Sequence, residues 1–477
     1  MNDQIPGRPW VEFDDFEPVS AKQWKQKIQY DLKGADYNDT LVWQSLEGIN
    51  VKPFYHKDDF ENGFQSIPGH PNSWLIAQEI FIDDVFIANA IAIDAIKRGA
   101  EAIVFIAKKE FDYKLVFKNF PLKSISIYFD FKFLSEEFLI EIKTFLKHQN
   151  AKVFYNIDII GNLAKTGNWF QGPLEDHRVL QKLISADVSK NLLGVDISTY
   201  QNAGANIVQQ LAYALGHANE YLNHLDSLNQ LNEEKRSSNA NVIGEFEFTF
   251  KLSIGSNYFF EIAKIRALRK LYATLAAEYG ARTSCHILTM PSTRNKTLYD
   301  YNVNMLRTTT ECMSAILGGA DTVFNLAYDV LYHKSNEFGQ RIARNQLLIL
   351  KYESGFDAVS NPSDGAYYIE SLTDELASKA LDVFKEIERG GGFLSQLKEG
   401  TIQKKIKESG DKEQRLFDNG DLKLLGTNHH PNKNDRMKDY LELFPFLKRN
   451  PVKTHFPPIV SRRLSEFTEQ ERLNLES

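Results

Sequence analysis

Residues 258–280 read YFFEIAKIRALRKLYATLAAEYG, with apolar side chains at helical spacing and a closing glycine. Ser284–Met290 (SCHILTM) follows as a short apolar run that fits a buried strand. Tyr301–Gly319 (YNVNMLRTTTECMSAILGG) returns to helical spacing and stops at a glycine pair. Asp321–Tyr328 (DTVFNLAY) is a second strand and Asn336–Gly355 (NEFGQRIARNQLLILKYESG) a third helix. Strands alternating with amphipathic helices over short joins predict a parallel sheet, because parallel neighbours need a crossover rather than a tight turn.

Upstream, the same grammar repeats. Strands are predicted at Trp74–Ile82, Glu101–Ala107, Ser124–Phe131, Lys152–Ile160, Leu192–Ser198 and Glu245–Ile254. Helices are predicted at Val85–Gly99, Glu136–His148 (capped by Ser135), Leu174–Lys190 and Ala205–Leu225. Eight strand-helix units predict a (β/α)8 TIM barrel over residues 46–390. An open doubly wound sheet is the competing arrangement; it more often carries a glycine-rich fingerprint after its first strand, and none is present.

Residues 1–45 read as an N-terminal arm. Ser20 and Gln23 form a capping box for a helix with Trp24, Ile28 and Leu32 on one side, closed by Leu32-Lys33-Gly34. A helix that short is marginal alone in water, so it packs on its own barrel or on a second subunit. Asp226–Ala240 (DSLNQLNEEKRSSNA) is expected to be a flexible polar loop. Residues 391–477 form a C-terminal extension, with a lysine-rich helical piece at Lys398–Lys412, an irregular stretch at Phe444–Pro458 and a last short helix at Arg462–Arg472.

A chain of 477 residues can bury a large core, and its 43% hydrophobic and 25% charged content is ordinary for a globular protein. The net charge of −7, with acids and bases intermixed, argues against a nucleic-acid partner. Only Cys285 and Cys312 occur, which excludes disulfide scaffolds and cysteine-rich zinc sites. The polar N-terminus lacks a signal-peptide pattern, and no run of about 18 apolar residues marks a membrane span. The expected location is cytoplasmic.

In such barrels the reacting groups lie at the C-terminal ends of the strands. Asp83-Asp84, Asp130, Asp158, Asp196 and Asp329 fall at predicted strand ends, and His286 in the seventh strand is the best single ionisable candidate. Carboxylates there can bind a metal or act as an acid/base pair, but most such residues cap the next helix, as Asp83 or Asp84 is placed to do. Tyr328 and Tyr332 flank Asp329 and can line a pocket or simply pack. Phosphate-loop, H-E-x-x-H and G-x-S-x-G motifs are absent. Asn202-Ala203-Gly204-Ala205 opens a helix and is a weak anion-site signal.

A series of segments carries a more specific signal: Phe260-Glu261-Ile262-Ala263-Lys264 with Arg266-Ala267, Arg307-Thr308-Thr309 with Glu311-Cys312-Met313, and Arg341-Ile342-Ala343-Arg344-Asn345. Glu353-Ser354-Gly355, Gly365-Ala366-Tyr367-Tyr368, Leu46-Glu47-Gly48-Ile49 and Gln201-Asn202-Ala203-Gly204-Ala205 extend it. Together they resemble the cobalamin-dependent methylmalonyl-CoA mutases, and within them the small (beta) subunit. The departures are equally specific. Catalytic subunits of that family carry Tyr-His before the Q-E-A-G-A turn, where Ser198 and Thr199 stand here. Their R-T-H-x-Q-T-S-G has Ser284 for the histidine and His286 for the glutamine. Their T-N-x-x-D-E keeps Asp329 but has Leu326 and Val330 at the asparagine and glutamate. The R-G-P-Y substrate loop and the R-N-T arginine have no counterpart, and no histidine among 11 lies in a D-x-H-x-x-G cobalamin motif.

The resemblance implies a non-catalytic small subunit of a heterodimeric mutase, a pseudoenzyme of propionate metabolism without catalytic, cofactor-binding or metal residues of its own. Ser198, Thr199, Gln201, Ser284, His286, Leu326, Asp329 and Val330 are then vestigial barrel-mouth positions. A large (alpha) catalytic subunit is the implied partner. It would hold adenosylcobalamin and interconvert (R)-methylmalonyl-CoA and succinyl-CoA; this chain would have no cobalamin-binding domain and meet acyl-CoA only through the complex. Two rival readings are a mutase barrel working with a separate cobalamin-domain protein, and a stand-alone acyl-CoA-binding module.

Overall fold

Alternate residues of a strand point to opposite faces, so each apolar run must bury one set toward helices and the other toward a common axis. The computed structural model, which describes residues 17–60, 63–186, 190–234, 242–447 and 452–476, shows where that axis lies. Its main strands are β1 (Leu75–Phe81), β2 (Ala102–Ala107), β3 (Ser126–Phe131), β4 (Lys152–Phe154), β5 (Gly194–Asp196), β6 (Thr249–Ile254), β7 (His286–Pro291) and β8 (Thr322–Phe324). They pair in the order β4-β3-β2-β1-β8-β7-β6-β5, every pair parallel. The two ends of that order also meet. Tyr155 N donates to Asn191 O at 2.9 Å, Ile157 N to Leu192 O at 2.9 Å, and Ile157 bridges Leu193. The sheet closes on itself as a TIM barrel, which excludes the open arrangement.

Several elements are shorter or longer than the sequence pattern suggests. β4 stops at Phe154 because Asp158 caps a helix at Ile159–Thr166, its carboxylate accepting from Gly161 N at 2.7 Å. β5 stops at Asp196 because Ser198–Asn202 coils into a short helix. β8 ends at Phe324, and β7 starts at His286, leaving Ser284 outside it. Helix Ile207–Glu234 continues past Leu225, so residues 226–234 are helix rather than loop; residues 235–241 lie outside the described residues, as do residues 1–16 of the arm. Helix Tyr367–Arg389, unforeseen, packs on Ile207–Glu234 and on Tyr258–Glu278. The lysine-rich piece is two helices, Phe393–Glu399 and Thr401–Asp418, broken at Gly400, whose φ is 82°. The last helix is Glu466–Leu475.

The arm helix Ala21–Asp31 carries the capping box expected at Ser20 and Gln23, yet buries none of its residues. It rests on the following segment, with Ala21 N donating to Asp58 at 2.9 Å and Trp24 edge-on to Phe54 at 6.4 Å. The C-terminal extension is clasped to the barrel instead. Arg294 Nε meets Glu413 at 2.6 Å, Leu298 N donates to Glu469 at 2.8 Å, and the Tyr299 hydroxyl donates to Glu476 at 2.6 Å. Gly204 makes one close approach possible: its φ is 107°, and a Cβ there would sit 2.7 Å from Gly410 Cα on helix Thr401–Asp418.

The axis is packed. In its lower half Tyr128, His286 and Thr322 meet, with the Tyr128 hydroxyl 2.8 Å from His286 Nε2 and 2.7 Å from Thr322 Oγ1. Phe154 stacks on Tyr128 at 4.4 Å between ring centres and lies 4.2 Å from the His286 ring. Val104, Leu288, Phe324 and Leu326 continue the filling upward. Burial of each such large apolar side chain is worth about 1.5–3 kcal/mol.

Candidate functional site

Above that apolar layer, the C-terminal mouth gathers charge. Asp130 on β3, Asp196 at the end of β5 and Asp158 beyond β4 are strand-end acids that the sequence singled out, and the fold brings them together. Lys251 on β6 is central: its Nζ is 3.0 Å from Asp130 and 3.9 Å from Asp196. Lys132 also pairs with Asp130. Burial opposes the charge on Asp130, but Lys251 and Lys132 outweigh it and hold the carboxyl below the ordinary range. Burial likewise opposes the Lys251 charge, and Asp130 with Asp196 outweighs it, so the ammonium is held above its ordinary value. Glu79 on β1 is pushed upward by burial, and Lys165 is pushed downward by burial and by Lys132.

Asp158 is fully partnered. It accepts from the Tyr221 hydroxyl at 2.8 Å, from Gly161 N at 2.7 Å and from Asp196 N at 2.9 Å, and lies 2.8 Å from His217 Nε2. Burial raises its pKa and these contacts, His217 foremost, lower it below the ordinary value. Such a carboxylate anchors structure rather than shuttling protons. The cavity left among these groups, lined by Asn156, Lys165 and Phe170 among others, is about 70 Å³. Sites for drug-sized ligands run to ~300–1,000 Å³.

The positions singled out as vestigial do not form one site. Ser198 lies in the short helix after β5 and donates to Asp196, and Thr199 beside it is buried. Leu326 is inside the barrel with Phe324 and Leu288. Asp329 is buried after β8, accepting from Asn336 Nδ2 at 2.7 Å and meeting His333 Nδ1 at 3.0 Å; Val330 next to it is 37% exposed. Gln201 faces another cavity, of about 550 Å³, between the loops after β5 to β7 and the C-terminal extension. Its side chain accepts from Lys264 Nζ at 3.1 Å.

Ser284 and His286 are not at the mouth. β7 begins at His286, so both lie at the N-terminal end of the strand, the opposite end of the barrel. Ser284 accepts from Arg282 at 2.9 Å and donates to Glu247 at 3.3 Å. Burial pushes the His286 pKa down, with Asp321 opposing, so the ring is a neutral packing element. The residues that sequence reasoning missed are the basic ones, Lys251, Lys132 and Lys165. The signal for Lys251 was its phase in EFEFTFKLSI, which puts it on the inward face with Thr249.

A sequence model described as methylmalonyl-CoA mutase matches residues 105–450. The chain belongs to the methylmalonyl-CoA mutase family. It is similar to the "Methylmalonyl-CoA mutase small subunit" of Porphyromonas gingivalis, 34% identical over 95% of this chain and 77% of that protein. The small subunit of Streptomyces virginiae is 38% identical over 45% of this chain and 34% of its own length. The "Methylmalonyl-CoA mutase" of Cereibacter sphaeroides is 29% identical over 85% of this chain and 64% of its own length. Against several of these mutases the chain spans about two thirds of the relative's length.

Members of this mutase family depend on cobalamin. Leu326, packed inside the barrel, and Val330, partly exposed after β8, have no side-chain polar atom to offer such a group. His217, on helix Ile207–Glu234, is wholly buried and held between Asp158 and Tyr200. Among the described residues no helix is long and apolar enough to cross a membrane, and no group of three or more His, Cys, Asp or Glu is placed to hold a metal.

Proposed function

We propose that this chain is the non-catalytic small subunit of a heterodimeric, cytoplasmic methylmalonyl-CoA mutase. Its 46–390 barrel supports a large subunit that holds adenosylcobalamin and interconverts (R)-methylmalonyl-CoA and succinyl-CoA. The observation that carries this reading is the closed mouth: a paired Lys251–Asp130 cluster leaves about 70 Å³ where the active members of the family need room for an acyl-CoA. Thr199 and Val330 cannot donate or accept the proton that a histidine or glutamate would, and such groups contribute about 10²–10⁴-fold to rate.

The test is reconstitution. Purified chain, with and without a candidate large subunit, is assayed for succinyl-CoA formation in the presence of adenosylcobalamin. Turnover is expected only when the large subunit is present, together with a tight complex between the two. Turnover by this chain with no other barrel subunit would overturn the reading. The acyl-CoA-binding alternative finds its support in the cavity beside Gln201, whose roughly 550 Å³ is ligand-sized. Saturable binding of a CoA ester to this chain alone, with no complex formed, would favour it.

A further inference from the structure

Two buried polar groups at the barrel's mouth have no partner. Thr249 on β6 is 1% exposed, and its hydroxyl meets no donor or acceptor among the described residues. The side-chain oxygen of Asn156, just beyond β4, is likewise buried and unbonded. Both residues line the cavity of about 70 Å³ that also touches Asp130, Asp196 and Lys165. Buried polar atoms are nearly always hydrogen-bonded, so two opening on one space call for a polar occupant. A water needs about 10–15 Å³ of such space, which gives room here for about five to seven non-hydrogen atoms. That is far too little for an acyl-CoA and enough for a small acid of about two or three carbons.

The charges around the cavity select its ligand. Lys132 pairs with Asp130, and Lys251 lies between Asp130 and Asp196, so these two lysines offset the two acids. Asp158 is satisfied by its own contacts. Lys165, on helix Ile159–Thr166, makes no ion pair or hydrogen bond among the described residues and keeps part of its side chain in solvent. It is the cation left over, and a carboxylate on the ligand balances it. Burial and then Lys132 lower its pKa against the pull of Asp196 and Asp130, so it supplies free amine more readily than a surface lysine.

We propose that Lys165 captures a small 2-oxo acid at the mouth as a covalent iminium, the Thr249 hydroxyl donating to the acid's carboxylate and Asn156 Oδ1 accepting from the iminium N–H. The Lys165 ammonium first gives a proton to solvent. Its nitrogen lone pair then forms a bond to the oxo carbon, while the C=O π pair moves to oxygen, which takes a proton from the nitrogen. With a second proton from solvent that oxygen leaves as water, and the nitrogen lone pair closes the C=N bond. The sum is ammonium plus oxo acid giving iminium plus water, with no change of oxidation state. The capture is independent of whether the chain supports a mutase subunit.

The experiment incubates the full chain with glyoxylate and sodium cyanoborohydride, which reduces an iminium to a stable N-carboxymethyl group, and maps the modified peptides by mass spectrometry. Lys165 is expected to be labelled about tenfold faster than the other exposed lysines, the gain in free amine that one unit of lowered pKa brings. Its labelling rate should saturate with glyoxylate concentration, whereas the rate at other lysines rises in proportion. Thr249→Val should raise the half-saturating concentration several-fold, and Lys165→Arg should abolish the saturable labelling. Propanal has the carbonyl without the carboxylate, and its labelling of Lys165 should not saturate. A Lys165 rate that matches the other lysines, or that climbs with glyoxylate without limit, overturns the proposal. So does equally saturable labelling by propanal, which would mark a reactive lysine with no site for an acid.

Discussion

Lys251 Nζ lies 3.0 Å from Asp130 Oδ2, an ion pair that joins β6 to β3 across the inside of the barrel. Both side chains are mostly withdrawn from water, at 17% and 19% exposure, and they occupy the end of the barrel where an α/β enzyme keeps its reacting groups. The pair therefore bears on stability and on the small size, about 70 Å³, of the cavity beside it.

Lys251→Met should destabilise the chain by about 3–5 kcal/mol, because it leaves Asp130 buried with only the Lys132 contact. Urea denaturation is the measurement, and Lys251→Met with Asp130→Leu should recover part of the loss. The sign with pH follows from the lowered Asp130 pKa. Its contribution is present above the unfolded carboxylate value of about 3.9 and is lost as pH falls through the folded value. The variant lacking Lys251 should show a shallower loss of stability in acid.

His286 titrates in the opposite chemical sense with the same direction of effect. Burial lowers its pKa, so the native state resists a proton that the unfolded chain takes up below about 6.5. Stability attributable to the neutral ring is complete above that value and declines as pH falls, by at most ~1.4 kcal/mol per pH unit. Comparing denaturation at pH 7.5 and 5.5 in the wild type and His286→Phe tests this, and the variant should lose less on acidification.

Gly204→Ala should loosen the C-terminal extension. The residue has φ 107°, and a new Cβ would meet Gly410 Cα at 2.7 Å, a backbone atom that cannot rotate away. A loss of about 1–3 kcal/mol is expected from strain of this order. Hydrogen exchange should show the change concentrated in helix Thr401–Asp418; a variant as protected there as the wild type would contradict the close packing.

Restoring two side chains should not restore chemistry. Thr199→His with Val330→Glu, assayed with a cobalamin-domain protein and adenosylcobalamin, is expected to form no succinyl-CoA. The limitation is space as well as functional groups: the cavity at the mouth is about 70 Å³. Measurable turnover by this double variant would show that the charge cluster opens.

The element order was legible because apolar runs such as EAIVFIA (101–107) and SISIYFDF (124–131) have nowhere to go except a buried sheet. Strand ends were not. Asp158 and Ser198 read as the close of a strand, yet Asp158 caps a helix by accepting from Gly161 N, and Ser198 opens one with its N–H and hydroxyl both donating to Asp196. The acids of the mouth were found, Asp130, Asp158 and Asp196 among them. Their meaning was not, because Lys251, which meets both Asp130 and Asp196, sits on a strand far away in the sequence. His286 was assigned to the wrong end of the barrel although the predicted strand, Ser284–Met290, already had it in the N-terminal half; the match to the family's histidine segment, not the apolar run, put it at the mouth.

By itself, then, the amino-acid sequence determined the alternation of strand and helix, the count that closes a barrel, and the scaffold segments that mark the mutase family. These depend on short-range periodicity and on motifs contiguous in the chain. Only the tertiary structure decided that Lys251 and Asp130 fill the barrel axis at its mouth and which face of its first helix is left to water. Lys251 and Asp130 are 121 positions apart and meet because closure and strand stagger bring them level. Helix Val85–Lys97 is apolar almost throughout, so which side chains face the sheet is set by how closely its backbone docks, a property that no window of sequence contains.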